Sequence, residues 1–167
     1  MARKQFEELY DYKDKLMEII CSNEEIVKLI TDNENAPVPN YALPYTQVFP
    51  FQYVPETVDK GKTFICFDVD LAAIESDQIY TNILYIWIFT HKSKMRLPDG
   101  GGVRVDKISS AIAEELTGNR RFGLGELKVA HNTRFAPITD FQGRELAYEA
   151  LDKNMIGVRK ALPSRRR

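Results

Sequence analysis

The chain has 167 residues, of which 44% are hydrophobic and 28% charged, the balance of an ordinary globular protein of one domain. A formal net charge of −1 gives no overall attraction to nucleic acid or to an anionic membrane. The longest apolar stretch, residues 83–89, is far shorter than the roughly 20 residues that a membrane-spanning helix needs. The first residues also lack the apolar run of a signal peptide, so we expect a protein made in the cytoplasm with no membrane partner.

Two helices are predicted at the start of the chain. Apolar residues recur at helical spacing between Phe6 and Ile20, with charged residues mostly between them. Ser22 and Glu25 form a capping-box pattern, in which each side chain bonds the other residue's amide. This pattern predicts a second, short helix over about residues 23–31.

The next segment, residues 36–57, combines five prolines with five aromatic rings, and we call it the aromatic arm. The prolines exclude a helix or a central strand. Aromatic side chains gain too much free energy from burial to remain in water, so the arm should lie against the domain's own sheet or against a neighbouring molecule. Its rings are candidate subunit contacts: Tyr41, Tyr45, Phe49, Phe51 and Tyr53.

Strands are predicted over residues 63–69 and 78–91, joined by a short polar linker over 71–77. Both faces of the second strand are apolar, so both should be covered, and this strand should be central in the sheet. A helix follows from about Val105 to Leu116, then a short strand near Leu127 and a last strand after residues 141–143.

The predicted order of elements is α-α-β-β-α-β-β. It indicates an α+β fold with a mostly antiparallel four-stranded sheet and helices packed on one face. Residues 1–152 should form this single domain, with the aromatic arm inside it, and residues 153–167 a basic tail.

Asp68 and Asp70 are the sharpest catalytic candidates. Placed at the end of an apolar strand, two residues apart, they are typical of Mg²⁺-dependent phosphatases, in which one aspartate is the nucleophile and the other the acid/base. However, Leu71 and two alanines follow, and the parallel strand-helix units of that fold are missing from the pattern. Two acids in a solvated turn is the simpler interpretation.

The glycine-rich, histidine and cysteine residues do not form the pattern of a phosphate-binding, metal or catalytic site. The glycines at 100–102 precede a helix, as in phosphate-binding loops, but no lysine motif follows, which favours a hairpin or loop tip. Histidines and cysteines are isolated from one another rather than paired at metal-ligand spacing. The residues concerned are Cys21, Cys66, His91 and His131. We therefore expect no catalytic residue, no cofactor and no metal.

The basic tail ends in Arg165, Arg166 and Arg167. Three roles remain open for these arginines: a solubilising segment, a docking arm that pairs with an acidic surface of a neighbour, or contact with nucleic-acid phosphates.

The arrangement of several segments between about residues 60 and 152 resembles the tail terminator and neck (head–tail joining) proteins of tailed bacteriophages. The segments are the strand at 82–91, the helix opening at 103–108 and closing at 116–118, and the turns at 122–125 and 141–144.

The resemblance implies a homo-oligomeric ring, usually hexameric, that ends the tail tube and joins it to the head connector. Its partners would be the tail tube protein and connector or neck proteins, DNA would pass the lumen without specific binding, and the protein would reside in the virion after assembly in the host cytoplasm. A phosphatase using Asp68 and Asp70, or a small adaptor that binds peptides along a sheet edge, remain alternatives.

Overall fold

The computed structural model of the protein describes residues 6–56, 61–74 and 79–153, which fold around one five-stranded sheet. In chain order the elements are α1 (Glu7–Ser22), α2 (Glu24–Thr31), β1 (Val48–Phe49), β2 (Thr63–Ile74), β3 (Ile79–His91), α3 (Arg104–Leu116), β4 (Lys128–Ile138) and β5 (Phe141–Lys153).

The helices lie where their apolar spacing predicts them, but the cap of α2 differs. Ser22 is the last residue of α1, and the Asn23 side chain accepts the Ile26 amide at 3.0 Å. Asparagine is among the best N-caps, so it takes the position that the capping-box pattern assigned to Ser22. None of the helices in the described residues has the length and apolar character that crossing a bilayer requires.

The sheet is mixed, with strand order β1-β2-β3-β5-β4. Strand β1 pairs with β2 in parallel, and all other neighbours are antiparallel. The α+β class is confirmed, but the prediction of four strands was wrong by one. The additional strand comes from the aromatic arm, in which Val48 and Phe49 pair with Ile65 and Cys66 at the edge of β2.

Two strands are longer than predicted. Strand β2 continues to Ile74 through a bulge after Leu71, so the polar linker is partly strand. Strand β4 runs from Lys128 to Ile138, whereas a short strand near Leu127 was expected. Because β4 is an edge strand with mostly exposed side chains, it lacks the apolar alternation by which strands are recognised in a sequence.

Strand β3 is central, as predicted, and one of its faces is buried beneath all three helices. Leu84, Ile86 and Ile88 are fully buried on that face, together with side chains of β2 and β5. At this level of burial each such side chain contributes about 1.5–3 kcal/mol. This helix-covered face is the main core of the protein.

A buried arginine ties helix α2 to the start of helix α3. The Arg104 guanidinium donates to the backbone carbonyls of Leu29 and Lys94 and pairs with Asp32 at 2.6 Å. Three partners from two separate segments compensate for the cost of removing this charge from water. Arg104 therefore fixes the end of α2 against the loop that leads into α3.

The close contact of β5 with β3 yields a first prediction. A Cβ atom added to Gly143 would lie 1.7 Å from the carbonyl oxygen of Ile88, which is backbone and cannot rotate away. We expect Gly143→Ala to lower the free energy of unfolding by about 3 kcal/mol or more, measured by urea denaturation. Gly125→Ala is the matched control, since nothing lies within 4 Å of its added Cβ. Equal stability of the two variants would contradict the close approach.

Candidate subunit-contact surfaces

The aromatic arm is fixed to the domain by its own backbone. The Asn40 amide donates to the carbonyl of Cys21 at the end of α1, and the buried Asn40 side chain accepts the Ala42 amide. A turn follows in which the Tyr45 amide donates to the Val48 carbonyl at 2.8 Å. Tyr45 has a left-handed backbone (φ 61°), which is uncommon outside glycine and places its side chain away from the turn.

Two rings of the arm pack on the chain's own sheet. Phe49 is only 7% exposed and stacks on Tyr53, with ring centroids 4.3 Å apart and planes nearly parallel. Both rings also contact Phe64 of β2. The arm therefore covers one end of the sheet face that lies opposite the helices, and Phe49 belongs to the protein's own core.

The other three rings of the arm point outward. Tyr41, Tyr45 and Phe51 are 86%, 65% and 44% exposed, and we call them the arm patch. Tyr10, exposed on α1, lies near this patch: the hydrogen bond to Asp14 is the largest cause of its raised pKa, and Tyr45 is close enough to add to the shift. Exposed aromatic rings in a group are typical of protein contact surfaces.

In the described part of the chain no element covers the rest of the sheet face opposite the helices, and we call it the open sheet face. Both faces of β3 were expected to be covered, yet on this face the described residues cover only the Phe89 end. Tyr85 and Trp87 remain partly exposed there, stacked with their planes 9° apart. Strand alternation and register place these residues on the open sheet face: Asp68, Asp70, Ile83, Tyr85, Trp87, His131, Thr133, Glu145, Ala147 and Glu149.

Glu145 organises the centre of the open sheet face. It accepts the Trp87 indole N–H at 2.6 Å, and its other oxygen lies 2.9 Å from Nε2 of His131. Because the indole is held by this bond and by stacking on Tyr85, the exposed part of the Trp87 ring has a fixed position. This is a preformed surface rather than a mobile side chain.

A family model described as YomW matches residues 23–150. The chain belongs to the YomW family. The match begins at the cap of α2 and ends within β5, so it includes the aromatic arm, strands β1 to β4 and most of β5. No curated protein matches the chain.

The two aspartates of the YomW chain that were considered as a phosphatase pair are not at a strand end. Asp68 and Asp70 lie within β2, which continues to Ile74. Asp68 pairs with Lys13 of α1 at 2.6 Å. Their neighbour β3 is antiparallel, so the two carboxylates do not sit at the carboxyl edge of parallel strands, where such enzymes bind phosphate.

The glycines at 100–102 form the tip of a hairpin in which the Leu97 amide donates to the Gly102 carbonyl. A groove of about 440 Å³ lies beside it. Its charged groups pair with one another, since both Lys94 and Arg104 bind Asp32. The hairpin thus has the geometry expected of a loop tip.

The histidines and cysteines stay apart, and in the described part of the chain no group of three or more His, Cys, Asp or Glu side chains converges. His91 bonds Ser93, and His131 bonds Glu145. Arg165, Arg166 and Arg167 lie outside the described residues. Sequence reasoning missed Tyr10 and the open sheet face, although the alternation of acids with apolar residues in β2 was a usable signal.

The cysteines yield a second prediction. Burial raises the pKa of Cys21 to about 11 and that of Cys66 to about 12, so both thiols stay protonated at neutral pH. We expect the native protein to leave both cysteines unlabelled by a maleimide over minutes at pH 7.5, as measured by intact mass. The same protein in guanidinium chloride should take two labels, and rapid double labelling without denaturant would refute this.

Proposed function

We propose that this YomW-family protein is a structural subunit that assembles with copies of itself through the arm patch. The observation that carries the proposal is that Tyr41, Tyr45 and Phe51 point outward from an arm whose backbone is fixed. Side chains of this kind dominate the energetics of protein contacts when they are buried by a partner.

The anchoring of the arm favours binding. A ring displayed by a fixed backbone loses little conformational entropy when a partner covers it. Here Phe49 and Tyr53 hold the segment on the sheet, while Phe51 and Tyr45 lie next to each other on the outside, 6.4 Å between centroids. The arm thus carries rings that pack inward and rings that face outward, so the same segment both covers part of the sheet and presents a contact surface.

The finer proposal follows from the resemblance to bacteriophage tail terminator and neck proteins. In it, the subunits form a ring, hexameric as is usual for such proteins, that ends the tail tube and joins it to the head connector. The partners are further copies of the chain, the tail tube protein and neck proteins, and DNA passes the lumen without specific binding. The site of action is the virion, after assembly in the host cytoplasm.

A peptide-binding adaptor is the second candidate, because β4 lies at a sheet edge and its outer backbone is available for another strand. Against it, β4 is interrupted by bulges near Ala130 and Ala136 and contains Pro137. Bulges and edge prolines are features that prevent strand addition. Self-assembly through the arm patch is therefore favoured.

Point substitutions test the arm patch better than deletion of the arm. Deleting residues 38–54 would also remove Leu43, Val48 and Phe49, which are buried in the protein's own core. The triple variant Tyr41→Ser, Tyr45→Asn, Phe51→Ser leaves these in place. Asparagine is chosen at position 45 because it tolerates the left-handed backbone there.

We expect the wild-type chain to form a closed multimer by size exclusion with light scattering. The triple variant should need at least tenfold higher concentration to assemble, because each aromatic ring buried in a contact contributes on the order of 1–2 kcal/mol. Its circular dichroism spectrum should be unchanged, because the buried residues of the arm stay in place. Leu124→Ser with Val103→Ser, two exposed residues outside the arm, is the control and should assemble normally. A wild-type chain that is monomeric at all concentrations would overturn the proposal.

A further inference from the structure

The open sheet face is acidic as well as aromatic. Asp70, on β2, and Glu149, on β5, flank Ile83 of β3 in one row across the sheet. Both carboxylates are exposed, and neither has an ion pair or hydrogen bond with another side chain in the described residues. Adjacent strands are about 4.8 Å apart, so these two strands place the carboxylates roughly 10 Å from each other. Among the described residues they are acceptors without a side-chain partner, beside a partly exposed apolar strip of Ile83, Tyr85 and Trp87.

The aromatic rings of the open sheet face suit a partner that carries arginine side chains. Trp87 and Tyr85 present stacked rings, and the carboxylate of Glu145 holds the indole edge. Arginine is the side chain that combines both contacts: its planar guanidinium stacks on aromatic rings and forms paired hydrogen bonds with carboxylates. Lys128, opposite Glu149 on the edge strand, is the basic residue of this row.

A segment of this chain has the matching composition. Residues 154–167 contain Arg159, Lys160 and the three consecutive arginines at 165–167, with no acid among them. Met155, Ile156, Val158 and Leu162 give the same segment apolar side chains for the strip around Ile83. In an extended chain, alternate residues lie on one side about 7 Å apart, so Arg165 and Arg167 can reach two carboxylates roughly 10 Å apart with their long side chains.

We propose that residues 154–167 of one copy bind the open sheet face of a neighbouring copy, with the arginines at 165–167 on Asp70 and Glu149. This deepens the proposed self-assembly and rests on it. The arm patch then supplies the apolar contact between subunits, and the basic segment adds a second, electrostatic one. Salt and charge reversal should weaken the second contact while leaving the first in place.

The length of the segment is sufficient for it to reach a neighbouring subunit. Strand β5 ends at Lys153, four residues after Glu149. The row formed by Asp70, Ile83 and Glu149 therefore lies about 14 Å from the point where residues 154–167 begin. Fully extended, residues 154–167 span up to about 50 Å. This span lets the arginines at the far end reach the open sheet face of an adjacent subunit, and the choice of a neighbour over the same subunit rests on the proposed self-assembly.

Trp87 is the sole tryptophan of the chain and lies on the face in question, so its fluorescence reports on occupancy. A nitroxide attached at Ser164→Cys will quench it on contact. Cys21 and Cys66 are buried, so the label goes to the introduced thiol. The labelled copy also carries Trp87→Phe and is mixed with unlabelled wild-type chain, so that all quenching comes from contact between different copies.

We expect quenching in the mixture that falls at least fivefold in 0.5 M NaCl and at least fivefold when the unlabelled chain carries Asp70→Asn with Glu149→Gln. Glu24→Gln with Glu114→Gln, two exposed acids away from this face, should leave quenching unchanged. Light scattering is recorded on the same samples. An assembled multimer without quenching overturns the docking of residues 154–167 and leaves self-assembly standing, whereas a monomer overturns both. Quenching seen only when label and Trp87 are on one chain also overturns the proposal.

Discussion

Strand β3 carries apolar side chains on both faces, and most of the architecture follows from how each face is kept from water. The helices bury the side that holds Leu84, Ile86 and Ile88. On the opposite side the described residues cover only the Phe89 end, with Phe49 and Tyr53 of the aromatic arm and with Phe141. The aromatic arm thus covers one end of this face, and the open sheet face is the part that the arm does not reach. The two candidate contact surfaces are the arm patch, on the outside of the arm, and the open sheet face beside it.

The aromatic arm therefore has two functions in one segment. Phe49 and Tyr53 attach it to the sheet, and the exposed rings of Tyr41, Tyr45 and Phe51 face away from the domain. A loop held this way behaves as part of the scaffold, which makes its surface rings rigid anchors of the kind found at the centre of protein interfaces. In the YomW family match, the arm lies within the matched region together with the sheet that supports it.

The sequence predicted the parts of this fold that are apolar and periodic. The central position of β3 and the helices were predicted from the spacing of apolar residues. A helix or strand that is buried on one face repeats its apolar residues with the period of that structure. Strand β1, with two residues among prolines, and the long edge strand β4, with exposed side chains, lack such a pattern. For the candidate site, the sequence indicated the five rings of the arm as candidate subunit contacts. It did not indicate which of them face outward, since that depends on the turn around Tyr45 and its left-handed backbone.

The Arg104 guanidinium has a consequence for how the molecule opens. It joins the last turn of α2, the 3₁₀ turn at Lys92–Lys94 and the first turn of α3 through hydrogen bonds that all share one side chain. Separating any one of these three segments costs the buried cation one or more of its partners, which disfavours fraying of one segment alone. Their amide protons should exchange with solvent in concert, as a single cooperative unit distinct from the arm, whose attachment depends on ring stacking instead.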